Sequence, residues 1–486
     1  MKPSSVVVGA GAGGLVAALY LQRAGHDVVL LERGAHVGGC ASAFAAKGFR
    51  FLAGATTLVG LEPDMPLGRV LGELDVAFAA PVAPKNVSVV QRGDVLTVST
   101  DAAANEAALT RAHGDAFARF WRSAVEVGAQ GWALIGQLAF PPRGLRDVFA
   151  TAGSARAWGL LPALTRSTRS RLEAAGAATT DSRRMLDELL PVSTQASAAE
   201  VPFLFGALGL EYLQRPMYLP DGGLSSLLEH LARVFVERGG ALRHGCAATS
   251  VRAASTGYVV ETPAGPLHTP RVVLNLTHWD AERLVEAPLR AAFQHTTRRH
   301  PDAWAACTLY LGVRDVFGPD AAPYHQVLLD APLPVSGAHS VFVTLSRSDD
   351  RAMAPEGYRA VTVSCHAPAR AWEALSDEAH ADWKGRVGAE LLDALATAFP
   401  AVRAADKPVQ LVGTPRTWEG FTGRRGGRVG GLAFDYRTLL RGYPTGRTRW
   451  PGLVRVGDTV FPGQSVPACA WGARRVVAEL TAAPRG

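Results

Sequence analysis

Within its first 33 residues the chain spells a strand, a glycine turn, a helix and a second strand: SVVVGAG, AGGLVAALYLQRAGH and DVVLLER. A βαβ unit of this kind commits the chain to a parallel sheet with its helix packed on one face. Gly9, Gly11 and Gly14 form a GxGxxG pattern directly after the apolar strand and at the mouth of the helix. The first glycine permits the tight turn, the second admits a pyrophosphate to the backbone, and the third lets helix and strand pack closely. Free N–H groups and the helix dipole then meet the phosphates. Glycine spacing alone is a weak signal. Glu32 strengthens it, because it closes the second strand 18 residues after Gly14, near the offset at which an acid accepts hydrogen bonds from a ribose. An acid there would repel a 2′-phosphate, which disfavours NADP.

At 486 residues the chain exceeds the size of a single core, so two or three connected domains are expected. After the βαβ unit, short strands lead into a helical region from about 102 to 190. A helix over 224–238, a hairpin at GYVVETPAG and a buried strand at RVVLNLT follow. Between 304 and 364, WAACTLYLGV, HSVFVTLS and RAVTVSC alternate like antiparallel strands, and a helix is expected over 377–398. The last segment reads as a strand, a glycine turn and a helix that return to the first domain.

The net charge is +7, and only five of the 50 basic residues are lysines. No Lys/Arg tract forms a nucleic-acid patch, so no nucleic-acid partner is expected. Five scattered cysteines without a CxxC pair fit neither a zinc site nor a disulfide framework. The first strand opens at Ser5, so no secretory leader is expected, and the expected location is the cytoplasm. Walker A, HExxH and GxSxG motifs are absent, and no metal site is expected. The thirteen histidines are scattered, and any one, such as His278 or His366, reads as surface or core. Residues 131–172 carry six arginines and one acid among Trp132, Leu134, Ile135, Leu138, Phe140, Phe149, Trp158 and several leucines. That pattern suits a helix lying in a membrane interface or, equally, an amphipathic lid. Pro202, Phe203, Leu204, Phe205 and Leu208 could line a channel or fill core.

Several blocks together resemble the phytoene desaturase and carotenoid isomerase family of flavoproteins, which includes retinol saturase. They are VVVGAGAGGLVAALYLQRAGHDVVLLERGAHVGGCAS, YLPDGGLSSLLEHLARVFVERGGALRHG, GTPRTWEGFTGR and VGDTVFPGQSVPACAWGARR, in order along nearly the whole chain. The resemblance implies an α/β fold: a glutathione-reductase-like FAD-binding Rossmann domain with an interleaved α+β substrate domain. The implied division is 1–100, 216–300 and 421–486 for the FAD domain, 101–215 for a helical, membrane-facing region, and 301–420 for an antiparallel substrate sheet.

Residue by residue, the resemblance implies that Gly38 and Gly39 turn over the pyrophosphate, with Arg33 beside Glu32. It places Ala248 near the adenine and Asp458, after Gly457, near the ribityl and pyrophosphate region. Gln464, Ser465 and Val466 match the helix start beneath the isoalloxazine. The chain departs from the family at Cys40, where many relatives carry a basic or small residue, at Leu52-Ala53-Gly54 in place of Asp-Ala-Gly, and at Ser465 in place of glycine. Cys40 reads as a small buried group rather than a redox thiol.

The implied activity is FAD-dependent chemistry on C–C bonds of a long apolar polyene: carotenoid desaturation, or cis/trans isomerisation without net redox change. Neither demands a marked acid/base pair, and no catalytic residue is named. An amine oxidase-like flavoenzyme, which should retain an aromatic cage, is one alternative. A non-catalytic lipid-binding escort is another, and it predicts loss of flavin, against which the set of Gly9, Gly11, Gly14 and Glu32 argues.

Overall fold

The computed structural model describes residues 4–135 and 155–482. Its organising element is a five-stranded parallel sheet. Strand β1 (Ser5–Val8) lies at the centre, helix α1 (Ala12–Arg23) follows it, and β2 (Val28–Leu31) pairs alongside. Ala241–Arg243 joins the far edge of β2, while Val272–Leu274 and Leu453–Arg455 extend the sheet on the other side of β1. These strands come from three distant stretches of chain.

The strands read as continuous apolar runs because both faces are covered. Val7, Leu30 and Val273 face α1 and the helices Ser225–Glu237 and Val466–Thr481. Val6, Val8, Val29, Leu31 and Val272 face the opposite way, against Val251, Tyr258 and Val260 of a small three-stranded sheet and against Phe293.

A second sheet of seven strands has the order Val409–Gly413, Trp304–Arg314, Tyr358–Pro368, Ser340–Leu345, Tyr324–Leu328, Val87–Gln91, Asp94–Val98. All neighbours are antiparallel except Tyr324–Leu328 with Val87–Gln91. Val87–Gln91 and Asp94–Val98 are grouped with the first FAD segment by the sequence division, yet they are hydrogen-bonded into this second sheet. Their alternation marks them as strands but cannot say which edge they join.

One face of the sheet is apolar. Cys307, Leu309, Leu311, Val341, Val361 and Val363 pack on Val387, Leu391 and Leu395 of the helix Asp377–Ala398. The residues between them, Ala306, Thr308, Ser364 and His366, point the other way. Helices at Ala102–His113, Asp115–Ile135, Ala155–Thr165, Thr168–Ala174, Thr180–Thr194 and Phe203–Tyr212 cover that side. Of the proposed interfacial stretch, Leu138, Phe140 and Phe149 lie outside the described residues. Among the described residues no helix is long and apolar enough to cross a membrane.

Candidate active site

The end of β1 is shaped by what cannot fit there. Gly9 has φ +96°, and a Cβ on it would stand 2.8 Å from the Asn275 carbonyl oxygen. A Cβ at Gly14 would stand 2.0 Å from the Gly9 oxygen, so α1 can approach β1 this closely only with glycine. Gly13 belongs to the same constraint, since a Cβ there would meet Asn275 Oδ1 at 2.8 Å and the Gly457 nitrogen at 3.1 Å. Asn275 ties the turn down by donating Nδ2 to the Gly9 oxygen at 3.1 Å. Sequence reasoning missed Gly13 and Asn275. RVVLNLT signals a strand, but nothing in it announces what the asparagine side chain reaches.

Glu32 is buried, and its carboxylate accepts the Ala10 N–H at 2.9 Å and the Gly34 N–H at 2.8 Å. It thereby fixes both turns that flank it, and each oxygen keeps a further lone pair for a hydroxyl. Arg33 donates Nη2 to the Gly420 carbonyl at 3.0 Å. Gly38 (φ +110°) bridges to Gly11 and gives its N–H to Ala10 at 2.8 Å, and Gly39 (φ +58°) follows. Ala248 sits on the wall next to Cys246, whose N–H bonds the Glu32 carbonyl at 2.9 Å.

The C-terminal segment closes the ring. Gly457 (φ +108°) lies over Gly13, and Asp458 accepts from Arg424 Nη1 at 2.6 Å. Burial alone would lower the Arg424 pKa, but the Asp458 carboxylate outweighs it and the pKa is raised, so the cation is held. Burial pushes the Cys40 thiol up despite the Arg424 guanidinium nearby, and raises that of Cys469 as well. Neither is a thiolate nucleophile at neutral pH. Gln464 accepts from Gln195 Nε2 at 2.8 Å and donates to the Val192 carbonyl at 3.0 Å. Ser465 holds φ +88° while its Oγ accepts the Ala468 N–H at 3.2 Å, capping the helix that begins with buried Val466. Gln195 carried no sequence signal. Arg424 stood in a block that resembles the family, but without an assigned role.

All the expected residues except Gly14 line one cavity of about 1590 Å³. Gly14 acts from behind, through packing. The cavity continues past the glycine turn to a wall of Leu190, Phe205, Leu208, Met217 and Phe434, in which the Phe205 and Phe434 rings stack with centroids 4.9 Å apart. Phe203, from the same apolar run, packs instead on Phe120 in the core. The second sheet contributes Thr308, Ser364 and His366. Burial lowers the His366 pKa to about 4, leaving a neutral imidazole. His278 is a core residue whose Nε2 contacts the His300 carbonyl at 2.9 Å. Among the described residues no cluster of His, Cys, Asp and Glu could hold a metal ion.

One end of the cavity therefore offers backbone N–H groups at a helix N-terminus and a buried carboxylate, the donor and acceptor set of a dinucleotide's diphosphate and ribose. The other end is apolar. Residues 7–74 match the NAD(P)-binding Rossmann-like domain family. Chloroplastic prolycopene isomerase from Daucus carota is 28% identical over 273 residues, which are 54% of this chain and 44% of the isomerase. The chain is homologous to carotenoid isomerases and desaturases. Carotenoid 3,4-desaturase from Haloarcula japonica is 24% identical over 506 residues, 95% of each chain. The chain thus spans less than half the length of the plant isomerase and nearly all of the archaeal desaturase. A putrescine oxidase double mutant of known structure superposes with a TM-score of 0.66 at 16% identity, covering 99% of this chain and 100% of that one. The fold is accordingly shared with putrescine oxidase, and the homologues lie among carotenoid isomerases and desaturases.

Proposed function

We propose that this protein is an FAD-dependent oxidoreductase that acts on C–C bonds of a long apolar polyene, as a carotenoid desaturase or a cis/trans carotenoid isomerase. The observation that carries the reading is the continuity of one cavity from the Gly9–Gly14 turn to the Phe205 and Phe434 wall. The N-terminus of α1, Gly38 and Gly39 would hold the diphosphate, Glu32 the ribose, Ala248 the adenine side, and Gly457 to Val466 the ribityl and ring end. A bound flavin would supply the hydride acceptor that polyene desaturation needs, or the reduced ring that isomerisation needs.

The chain's own part is binding, orientation and exclusion of water. The backbone N–H groups that open the helix Val466–Thr481 and its dipole favour negative charge at that end. The apolar wall lays an extended hydrocarbon along the cavity and keeps it dry. His366 stands beside Trp304, with ring centroids 5.8 Å apart, and stays uncharged, so it adds no charge to its part of the wall. The helix Ala155–Thr165 exposes Trp158 and Leu161 while burying Leu160. That outward apolar pair supports peripheral contact with a membrane, from which a carotenoid could be drawn.

The visible spectrum of the purified protein, followed by anaerobic incubation with lycopene-type polyenes and chromatography of the products, tests the reading. Flavin that bleaches as a longer-wavelength polyene forms identifies a desaturase. Isomer exchange only after prior flavin reduction identifies an isomerase. A protein that binds no FAD overturns the proposal.

A further inference from the structure

The turn at residues 38–42, Gly-Gly-Cys-Ala-Ser, closes over the N-terminus of α1 without a single cationic side chain. Backbone N–H groups and a helix dipole amount to about half a unit of positive charge, whereas a diphosphate brings two negative charges. The sequence around the turn leaves that imbalance unanswered, but the tertiary structure supplies a guanidinium. Arg424 lies close enough to Cys40 to act on its thiol and is ion-paired to Asp458, which follows Gly457 at the mouth of α1.

Only one nitrogen of Arg424 is engaged. Nη1 contacts Asp458 Oδ2 at 2.6 Å and the Arg428 carbonyl at 3.5 Å. Nε and Nη2 make no hydrogen bond to the described residues, and the side chain, 22% exposed, lines the cavity. These two donors are left for whatever occupies the cavity. Their geometry matches two oxygens of a phosphate.

The loop that carries Arg424 is fixed on both sides. Arg33 holds the Gly420 carbonyl at 3.0 Å, and Gly423 has φ +75° with its absent Cβ 2.0 Å from Arg33 Nη1. The Arg425 N–H bonds Asp280 Oδ1 at 3.0 Å, and Arg428 bonds Glu373 Oε1 at 2.6 Å. Of the other cations lining the cavity, Arg33 is committed to this loop and Arg283 is exposed at the rim.

We propose that Arg424 is the cationic subsite for the diphosphate of the dinucleotide, held in place by Asp458 and taking over a role that no residue near Gly38 and Gly39 can fill. The proposal rests on the FAD reading above. Asp458 is then a positioning residue, whose carboxylate would repel the phosphates if Arg424 did not stand between them.

The rival is that Arg424 only neutralises Asp458, and a double-mutant cycle separates the two. FAD, ADP and adenosine are titrated into apoprotein of wild type, Arg424→Met, Asp458→Asn and the double variant. Under the proposal Arg424→Met weakens FAD and ADP alike by about 10- to 100-fold, adenosine is unaffected, and the double variant stays weak. Recovery of wild-type affinity in the double variant would overturn it, as would an Arg424→Met protein that binds ADP normally. If the methionine variant does not fold, Arg424→Lys decides. It keeps the charge beside Asp458 but loses the fork, so FAD and ADP affinity should fall by roughly 3- to 10-fold, and unchanged affinity overturns the proposal. A wild-type protein that binds neither FAD nor ADP would instead sink the FAD reading itself.

Discussion

The two ends of the cavity are built on opposite terms. At the dinucleotide end, the chain is specified by backbone: Gly9, Gly13, Gly14 and Gly38 are there because a Cβ would strike main-chain or Asn275 atoms. At the apolar end, the wall is specified by side-chain bulk, with Phe205 on a helix meeting Phe434 on a distant loop. The first end tolerates almost no change of residue, and it reads the parts that dinucleotides share, the diphosphate and a ribose without a 2′-phosphate. The second tolerates many apolar residues, and its shape decides the substrate. The difference assigns cofactor identity to a local motif and substrate identity to tertiary structure.

The largest expected effect lies at the backbone-specified end. Gly14→Val must push α1 away from β1, and should cost about 3 kcal/mol or more, with loss of bound flavin. Urea unfolding and the flavin-to-protein absorbance ratio measure both, and a stable, flavin-loaded Gly14→Val protein would break the comparison.

Next comes Phe205→Ala. It removes one ring of the stacked pair from the wall and should raise KM for the polyene by about 10-fold. Flavin content should stay at the wild-type level. Loss of flavin in this variant would mean that the two ends are not independent.

A smaller effect measures how dry the apolar end is. Burial holds the folded-state pKa of His366 at about 4, below the 6.5 of the unfolded chain. The unfolded state therefore takes up this proton first as the pH falls. Stability due to the neutral imidazole is complete above pH 6.5, declines between 6.5 and about 4, and is lost below. Because the ring faces the cavity, the loss should be of the order of 1 kcal/mol. In His366→Phe the slope of denaturation midpoint against pH over that window should be shallower. Identical slopes would show that the apolar end is wet.

The smallest effect concerns Ser465, a non-glycine residue at φ +88° that also caps a helix. Ser465→Gly relieves backbone strain but gives up the Oγ contact to Ala468, and the two should leave stability within about 0.5 kcal/mol of wild type. A drop of several degrees in Tm would mean that Ser465 carries more than a cap.

Much of the dinucleotide end was legible in the sequence, because its constraints act within a few residues. Gly9, Gly11, Gly14 and Glu32 belong to one βαβ unit, and the spacing states the geometry. The helix Asp377–Ala398 was legible for a similar reason, being long and bounded by a serine cap whose Oγ accepts the Ala379 N–H. Asn275, Gln195 and Arg424 were not legible as site residues. Each acts across more than a hundred positions, on Gly9, Gln464 and Cys40 respectively, and no periodicity encodes such a meeting. Cys307 and Cys365, scattered in sequence, stand directly opposite on adjacent strands. The strand pairing of Val87–Gln91 was hidden for the same reason, since alternation fixes a face but not a partner.

The five-stranded sheet also sets a timetable. Its strands are made in the order β1, β2, Ala241–Arg243, Val272–Leu274, Leu453–Arg455, and the last pairs with Val272–Leu274. During synthesis, the ribosome must therefore add roughly another 180 residues after Leu274 before that edge is covered, about 10 to 40 seconds at ordinary elongation rates. For that interval Val272, Val273 and Leu274 present an open parallel edge next to the glycine turn. The nascent chain is most vulnerable to aggregation just then, and the final helix, Val466–Thr481, arrives as the latch that ends the exposure.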